Sequence, residues 1–193
     1  MWCPMISLVN EFSALLDTCT LVPIALCDLF LRLAEDPAMY KPKWSQSILQ
    51  ELSSVLQSPK FHLSPEKARY RIESMQSAFP EAMVAGYEPL IDVMSNHEGD
   101  RHVLAAAVYG KVDATVTLNQ RHFPDDQLSR FGIERLTPDA FLTHQWHLDE
   151  ALVMSRLAAQ STACEKELRS HIVLLEKMAP GFGSLVRSTL DSF

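Results

Sequence analysis

The side chains of this sequence that could hold a metal ion are three acids and one amide. Asp17 follows the short apolar run 12–16, Asn119 follows the β-branched run 114–118, and Asp100 begins the helical pattern before that second run. The third acid, Glu51, lies inside an earlier helical pattern. Carboxylate and amide oxygens are ligands that Mg²⁺ or Mn²⁺ prefers in proteins. The sequence therefore contains a possible site for a hard divalent cation.

Glu51 lies on an apolar stripe that includes Ile48, Leu52 and Val55, so it is expected on a buried helix face. An unpaired buried carboxylate is energetically costly, and a hard cation would be a suitable partner for it. Each candidate also has an ordinary structural explanation. Asp17 could end a strand, Glu51 could be solvated or salt-bridged, Asp100 could be a helix N-terminal acid, and Asn119 could be a loop residue.

Strand and helix patterns alternate along the first three quarters of the chain, which predicts an α/β fold with a parallel sheet. Strand patterns occupy residues 12–18, 83–84, 114–118 and 133–136. Helical patterns begin at Pro23, Ser45, Ser64 and Asp100, with Gly110 placed to end the last of these, and Thr137 caps a short helix. Ligands of such folds bind beyond the carboxyl ends of the strands, which is where Asp17 and Asn119 fall.

Two units are predicted along the chain, a domain at 1–145 and a helical C-terminal extension at 146–193. Residues 147–190 show helical periodicity that is broken only near Pro180-Gly181. The apolar stripe of the extension, which includes Leu157 and Ile172, fits two arrangements. It could pack on its own domain, or it could bind a second copy or another protein.

Composition excludes several classes of protein. The 193 residues are 47% hydrophobic and 21% charged, which excludes disorder, and the longest apolar run is far shorter than a membrane span. The start of the sequence has no signal-peptide pattern, and the cysteines (Cys3, Cys19, Cys27 and Cys164) have no zinc-finger or disulfide spacing, which favours a reducing, cytoplasmic location. The net charge of −7 alone argues against a nucleic-acid partner.

Four segments, in order, give a resemblance to the PIN-domain family. They are LLDT at 15–18 with LVP at 21–23, WSQSILQEL at 44–52, GDRHVLAAA at 99–107, and TVTLN at 115–119, which leads to Phe123-Pro124. The resemblance covers residues 12–142. It implies a PIN-like (Rossmann-like) three-layer α/β/α domain of the kind found in VapC toxins of bacterial toxin–antitoxin pairs.

The resemblance also implies an activity, hydrolysis of RNA phosphodiesters by water that a divalent cation activates. Asp17, Glu51 and Asp100 would hold Mg²⁺ or Mn²⁺, with Asn119 at the position of a fourth acid. Thr18 and Thr117 would orient the site by hydrogen bonds. An antitoxin protein that covers the acidic groove is the implied partner, and a homodimer is expected.

The sequence departs from the family pattern at Asn119, at His122 and in the stretch 97–99. The amide leaves three formal negative charges in the site instead of four. His122, which replaces a common aspartate, could contact phosphate or cap its loop. The departures keep a second hypothesis open, that the protein is a PIN-like RNA-binding or scaffold protein with little activity. A response-regulator-like phosphoacceptor is disfavoured because the expected second acid and late lysine are missing.

The basic residues that could bind RNA lie in one segment of the chain and beside the proposed acids. The segment 41–71 has six basic residues against two acids, a net of +4, and could face phosphate or could be an ordinary solvated helix face. Arg101 and Arg121 flank the proposed acids and are better placed to meet a phosphate.

Overall fold

The computed structural model describes residues 12–192, in which five parallel strands form one sheet. The strands are β1 (Ser13–Leu16), β2 (Lys41–Ser45), β3 (Met83–Val84), β4 (Ala114–Val116) and β5 (Glu134–Leu136). Their order across the sheet is β3-β2-β1-β4-β5. The predicted α/β class with a parallel sheet is confirmed.

Helices flank this sheet in a three-layer α/β/α arrangement and continue beyond it towards the C-terminus. They are α1 (Thr18–Leu21), α2 (Ile24–Ala34), α3 (Gln46–Gln57), α4 (Pro65–Ala78), α5 (Arg101–Tyr109), α6 (Asp125–Ser129), α7 (Pro138–Leu148), α8 (Glu150–Ala163), α9 (Leu168–Glu176) and α10 (Pro180–Leu190). Short 3₁₀ turns occupy Pro80–Ala82, Glu88–Val93, Glu98–Asp100 and Gln120–His122.

The strand order reverses between β1 and β4, and this reversal positions the candidate site. From β1 the chain builds β2 and β3 on one side, then returns past β1 to add β4 and β5 on the other. Open α/β sheets bind ligands in the crevice at such a switch point. Asp17 follows β1 directly, and its backbone N–H donates to the carbonyl of Val116 at the end of β4 (3.1 Å). Asp17 and the residues after β4 therefore meet at this crevice.

The helix starts predicted at Ser45 and Thr137 are confirmed by their caps. The Ser45 hydroxyl accepts from the N–H of Ile48 (3.3 Å), and the Thr137 hydroxyl accepts from the N–H of Ala140 (3.0 Å). Both bonds satisfy an N–H that has no partner inside its helix. The strand predicted at 114–118 ends earlier, at Val116, and β2 was not predicted at all.

Gly110 ends α5 as predicted, but for a different reason than a left-handed turn. Its φ is −73°, an ordinary helical value, while the left-handed residue is Lys111 at φ +49°. A Cβ atom at Gly110 would lie 3.0 Å from the carbonyl oxygen of Ala106 and 3.0 Å from a methyl of Val84. The absence of a side chain therefore lets the end of α5 approach β3 closely.

The C-terminal helices pack on the sheet domain. Leu157 of α8, Ile172 of α9 and Phe182 of α10 are buried in the same apolar cluster as the strands. The Gln160 side-chain amide donates to the carbonyl of Ala25 in α2 (2.7 Å).

The helical pattern breaks after Ala163 as well as before α10, whose first residue is Pro180. α7 runs across position 145, and the division into 1–145 and 146–193 stays a prediction.

The structure also describes two features that were discussed from composition, which are membrane-spanning segments and cysteines. No helix within residues 12–192 is long and apolar enough to cross a membrane. Cys19, Cys27 and Cys164 are free thiols, and Cys3 lies outside the described residues.

Candidate metal centre

Asp17 is the most buried acid of the crevice, with 3% of its surface exposed. Its Oδ2 accepts a hydrogen bond from the Thr117 hydroxyl (2.6 Å) and one from the Cys19 thiol (3.0 Å). Thr117 follows β4, so the pairing of β1 with β4 places its hydroxyl beside the carboxylate. The two donors fix the orientation of Asp17 at the edge of the sheet.

The electrostatic environment of Asp17 disfavours its charged form. Burial raises the pKa of this carboxyl, while the hydrogen bonds from Cys19 and Thr117 lower it, and the nearby charge of Asp100 raises it again. The net pKa shift is upward. A buried carboxylate beside a second carboxylate is the environment that a bound divalent cation would relieve, so the residues fit such an ion.

Cys19 acts in this site as a neutral hydrogen-bond donor. Burial and the charge of Asp17 raise the pKa of its thiol to about 12, so the thiol keeps its proton at neutral pH. The backbone N–H of Leu118 donates to the same sulfur (3.2 Å). Cys19 therefore links the end of β1 to the loop that follows β4.

Glu51 does not lie on the buried face of α3, which corrects the sequence-based expectation. Its side chain is 46% exposed and contacts two other residues at the rim of the crevice. The Thr18 hydroxyl donates to Oε2 (2.8 Å), and the Nε2 atom of His102 lies 3.1 Å from Oε1. The hydrogen bond from His102 is the main reason that the pKa of Glu51 falls below its ordinary value.

Asp100 is paired with two histidines. It ends the 3₁₀ turn before α5, and its side chain is 16% exposed. The Nδ1 atom of His122 lies 2.8 Å from Oδ2, and the Nδ1 atom of His97 lies 3.1 Å from the same oxygen. The two imidazole rings stack with centroids 4.0 Å apart and planes 9° from parallel.

The predicted site residues lie at the carboxyl edge of the sheet, but they do not form one tight group. Thr117 contacts Asp17, and Thr18 contacts Glu51. Within residues 12–192, the three possible ligand side chains whose ligand atoms all lie within 4.8 Å of one another are His97, Asp100 and His122. Asp17 and Glu51 lie outside that tight group. Asn119 is exposed, and its backbone N–H donates to the Thr117 hydroxyl (2.9 Å).

The basic residues proposed for RNA binding differ in their surroundings. Arg121 is exposed, whereas the Nε atom of Arg101 lies 3.5 Å from the carbonyl oxygen of Asn96. In the +4 segment, Arg71 donates to the backbone carbonyls of Leu21 and Val22. Part of that segment therefore holds the fold together and is not free to meet phosphate.

Three side chains of the site were missed by sequence reasoning: Cys19, His97 and His102. His102 meets Glu51 although the two are 51 positions apart, and no periodicity connects a helix start with the middle of another helix. Cys19 lies two residues after Asp17, which is a local signal that could have been used.

Replacing His102 with alanine is expected to raise the pKa of Glu51 towards its ordinary value, because the hydrogen bond from His102 is its main cause of depression. Glu51 should then hold its proton to a higher pH. A carboxyl-carbon NMR titration of the metal-free protein measures this directly. His144→Ala, at an exposed position on α7, is the control. Identical titration of Glu51 in wild type and His102→Ala would contradict the assignment.

The sequence is clearly similar to a curated ribonuclease. Over 122 residues, the sequence is 37% identical to a protein of Mycobacterium tuberculosis (strain ATCC 25618 / H37Rv) described as "Putative ribonuclease VapC50". The match covers 62% of this chain and 72% of that protein. No family model matches the sequence.

Proposed function

Since this chain belongs to the VapC-like family of PIN-domain ribonucleases, we propose that it is a Mg²⁺- or Mn²⁺-dependent endoribonuclease and the toxin of a type II toxin–antitoxin pair. The observation that carries the metal-dependent activity is the position of Asp17. It is buried at the switch point of the sheet, held by two donors, and placed beside the charge of Asp100. A buried, oriented carboxylate with a raised pKa in a crevice is typical of a functional site.

Asp17, Glu51 and Asp100 would hold the ion, and the carbonyl oxygen of Asn119 is a further possible ligand. The set consists of oxygen atoms, as hard cations require. When bound, such an ion lowers the pKa of a water molecule and offsets negative charge on a phosphate. No covalent nucleophile on the protein is then needed.

The remaining side chains orient the acids and bind the substrate. Thr117 and Cys19 hold Asp17 at the crevice, and Thr18 and His102 hold Glu51 at the rim. For the RNA, we assign phosphate binding to three residues around the acids, which are Arg101, Arg121 and His122. The local positive charge of the two arginines would offset the overall negative charge of the protein.

Cleavage of a labelled RNA in the presence of EDTA, Mg²⁺, Mn²⁺ or Ca²⁺ tests the proposal. We expect cleavage with Mg²⁺ and Mn²⁺ and none with EDTA, because the acids cannot supply the nucleophile alone. Calorimetric titration with Mn²⁺ should show binding in the millimolar range or tighter. Cleavage that persists in EDTA would overturn the metal dependence.

The scaffold hypothesis predicts a different result in the same experiment. It is favoured by Asn119, an exposed amide where the family pattern has an acid. In that case the protein would bind RNA and leave it intact at saturating Mn²⁺. RNA binding is measured by fluorescence anisotropy, with cleavage followed on the same samples.

The partner proposals follow from the toxin assignment. We propose a cytoplasmic protein that forms a homodimer and is inhibited by an antitoxin protein. Light scattering measures the mass of the purified chain, and a monomer at micromolar concentration would contradict the homodimer. Co-purification with the product of the adjacent reading frame tests the antitoxin.

A further inference from the structure

Two histidines from separate loops converge on one carboxylate oxygen beside the proposed magnesium site. His97 precedes α5, and His122 lies in the 3₁₀ turn after β4. Their Nδ1 atoms lie 3.1 and 2.8 Å from Oδ2 of Asp100, and the rings are stacked face to face. Neither histidine is needed to hold Asp17 or Glu51, so the proposed function gives this pair no joint role.

The backbone holds the two loops together at this point. The N–H of His97 donates to the carbonyl of His122 (3.4 Å), and the N–H of Asp100 donates to the carbonyl of His97 (2.9 Å). The N–H of His122 donates to the carbonyl of Asn119 (2.9 Å). These bonds join the segment before α5 to the segment after β4 and so bring the three side chains together. Because the lone pair of an imidazole nitrogen lies in the plane of its ring, the two nearly parallel rings must turn out of their stack for both Nδ1 atoms to bind one ion.

We propose that His97, Asp100 and His122 form a second cation site that takes a transition-metal ion of the imidazole-binding class, represented by Zn²⁺. The three ligand atoms lie within 4.8 Å of one another. With bonds of about 2.0–2.1 Å, neighbouring ligand atoms around a tetrahedral Zn²⁺ ion stand roughly 3.3–3.4 Å apart. The two nitrogen–oxygen distances of 2.8 and 3.1 Å are shorter than that spacing, so the nitrogens must move away from Oδ2 by a few tenths of an ångström to admit the ion.

The donor type separates this site from the hard-cation site. Imidazole nitrogen suits Zn²⁺ and its neighbours in the first transition row, whereas Mg²⁺ prefers an all-oxygen set. Exposure of the His97 side chain (56%) and the His122 side chain (38%) gives an ion a path from solvent. Asp100 belongs to both sites, and in this respect only, the inference rests on the proposed function.

Sharing Asp100 has a consequence for activity. A transition-metal ion bound by the two histidines would occupy Oδ2 of Asp100 and add positive charge next to the site of Asp17 and Glu51. Mg²⁺ would then bind there more weakly. We therefore expect Zn²⁺ to inhibit RNA cleavage in competition with Mg²⁺.

Calorimetric titration of the metal-free protein with Zn²⁺ tests the site, and Co²⁺ absorbance reports its coordination. Wild type should bind one equivalent at this site. His97→Ala and His122→Ala should each weaken binding by at least about tenfold, or roughly 1.4 kcal/mol. His147→Ala, at an exposed position on α7, is the matched control and should bind as wild type does. Far-UV circular dichroism checks that each variant is folded.

Asp17→Asn separates this inference from the proposed function. It removes an acid of the hard-cation site and leaves His97, Asp100 and His122 in place. Zn²⁺ binding should persist in Asp17→Asn whether or not RNA is cleaved by wild type. The inference is overturned if wild type binds no Zn²⁺, or if the two histidine variants bind it as tightly as wild type.

Discussion

Replacing Asp17 with asparagine is expected to abolish RNA cleavage and to stabilise the metal-free fold. A bound divalent ion supplies several kcal/mol of charge stabilisation. Since about 1.4 kcal/mol corresponds to a factor of ten in rate, the loss should be about a thousandfold or more. The asparagine carbonyl can still accept from Thr117 and Cys19, so the variant keeps the local geometry and loses the charge.

The stabilisation follows from the raised pKa of Asp17. Burial raises this pKa, so the folded protein holds the proton more tightly than the unfolded chain does. The wild-type free energy of unfolding therefore decreases as pH rises from the unfolded pKa through the higher folded pKa. The asparagine variant does not lose stability in this way. At neutral pH its free energy of unfolding should therefore exceed that of wild type by about 1 kcal/mol.

Urea unfolding in EDTA at several pH values, with RNA cleavage in Mg²⁺, measures both effects. The stability difference between Asp17→Asn and wild type should increase with pH and then level off. Asp92→Asn, which changes an exposed acid in the 3₁₀ turn Glu88–Val93, is the matched control for loss of one charge. Wild-type cleavage by Asp17→Asn, or a less stable metal-free variant, would contradict the assigned role.

The parts of the fold that sequence predicted are those set by short-range signals. The N-cap residues Ser45 and Thr137 are predictable because each bonds an N–H three residues away. Asp17 was found because it ends an apolar run, and parallel strands end at the same edge of a sheet. The same reasoning placed Asn119 near it, whereas the role of Thr117 came from the resemblance to the PIN-domain family.

β2 was missed because a proline interrupts its pattern. Proline has no N–H to donate and is rare inside a sheet. The N–H of Lys41 donates to Phe12 on the β1 side, so the nitrogen of Pro42 faces the opposite side of the strand. There β3 pairs only with Trp44 and Ser45, and no ladder bond is lost at Pro42. The sheet tolerates Pro42 because β3 is short, and the length of β3 cannot be deduced from the residues around Pro42.

The prediction that Glu51 is buried was wrong because the predicted apolar face of the helix was centred too close to Glu51. The buried residues of α3 are Ile48, Leu49, Leu52 and Leu56. At 3.6 residues per turn, Glu51 lies about 115° around the helix from the centre of that set. It therefore lies at the margin of the buried face. His102 and His97 were missed for another reason, since their contacts depend on how separate elements pack.

Replacing Leu157 with alanine is expected to destabilise the whole protein, including the sheet that carries the candidate metal centre. Leu157 is fully buried on α8, which packs on α2 and α7. Loss of a buried leucine side chain costs about 2–5 kcal/mol, because the cavity is only partly filled. This is a large part of the 5–15 kcal/mol that is typical of a folded domain.

The reason to expect one transition is that the two predicted units share their core. Leu157 and Phe182 belong to the same cluster of buried residues as Leu15 of β1 and Phe30 of α2. Arg156 also donates to the backbone carbonyls of Glu35 and Asp36, just beyond α2. Removing one contact in the extension should therefore lower the stability of the sheet as well.

Urea unfolding of Leu157→Ala, followed by circular dichroism and by tryptophan fluorescence, measures the loss and its cooperativity. Both signals should shift together to a lower midpoint. Leu148→Ala, at a position that is 68% exposed, should stay within about 0.5 kcal/mol of wild type. Two separate transitions, with the sheet unaffected, would show that the C-terminal helices fold independently. A single shifted transition would mean that residues 1–145 depend on the helices of 146–193 for their stability, so the nuclease and its extension fold as one unit.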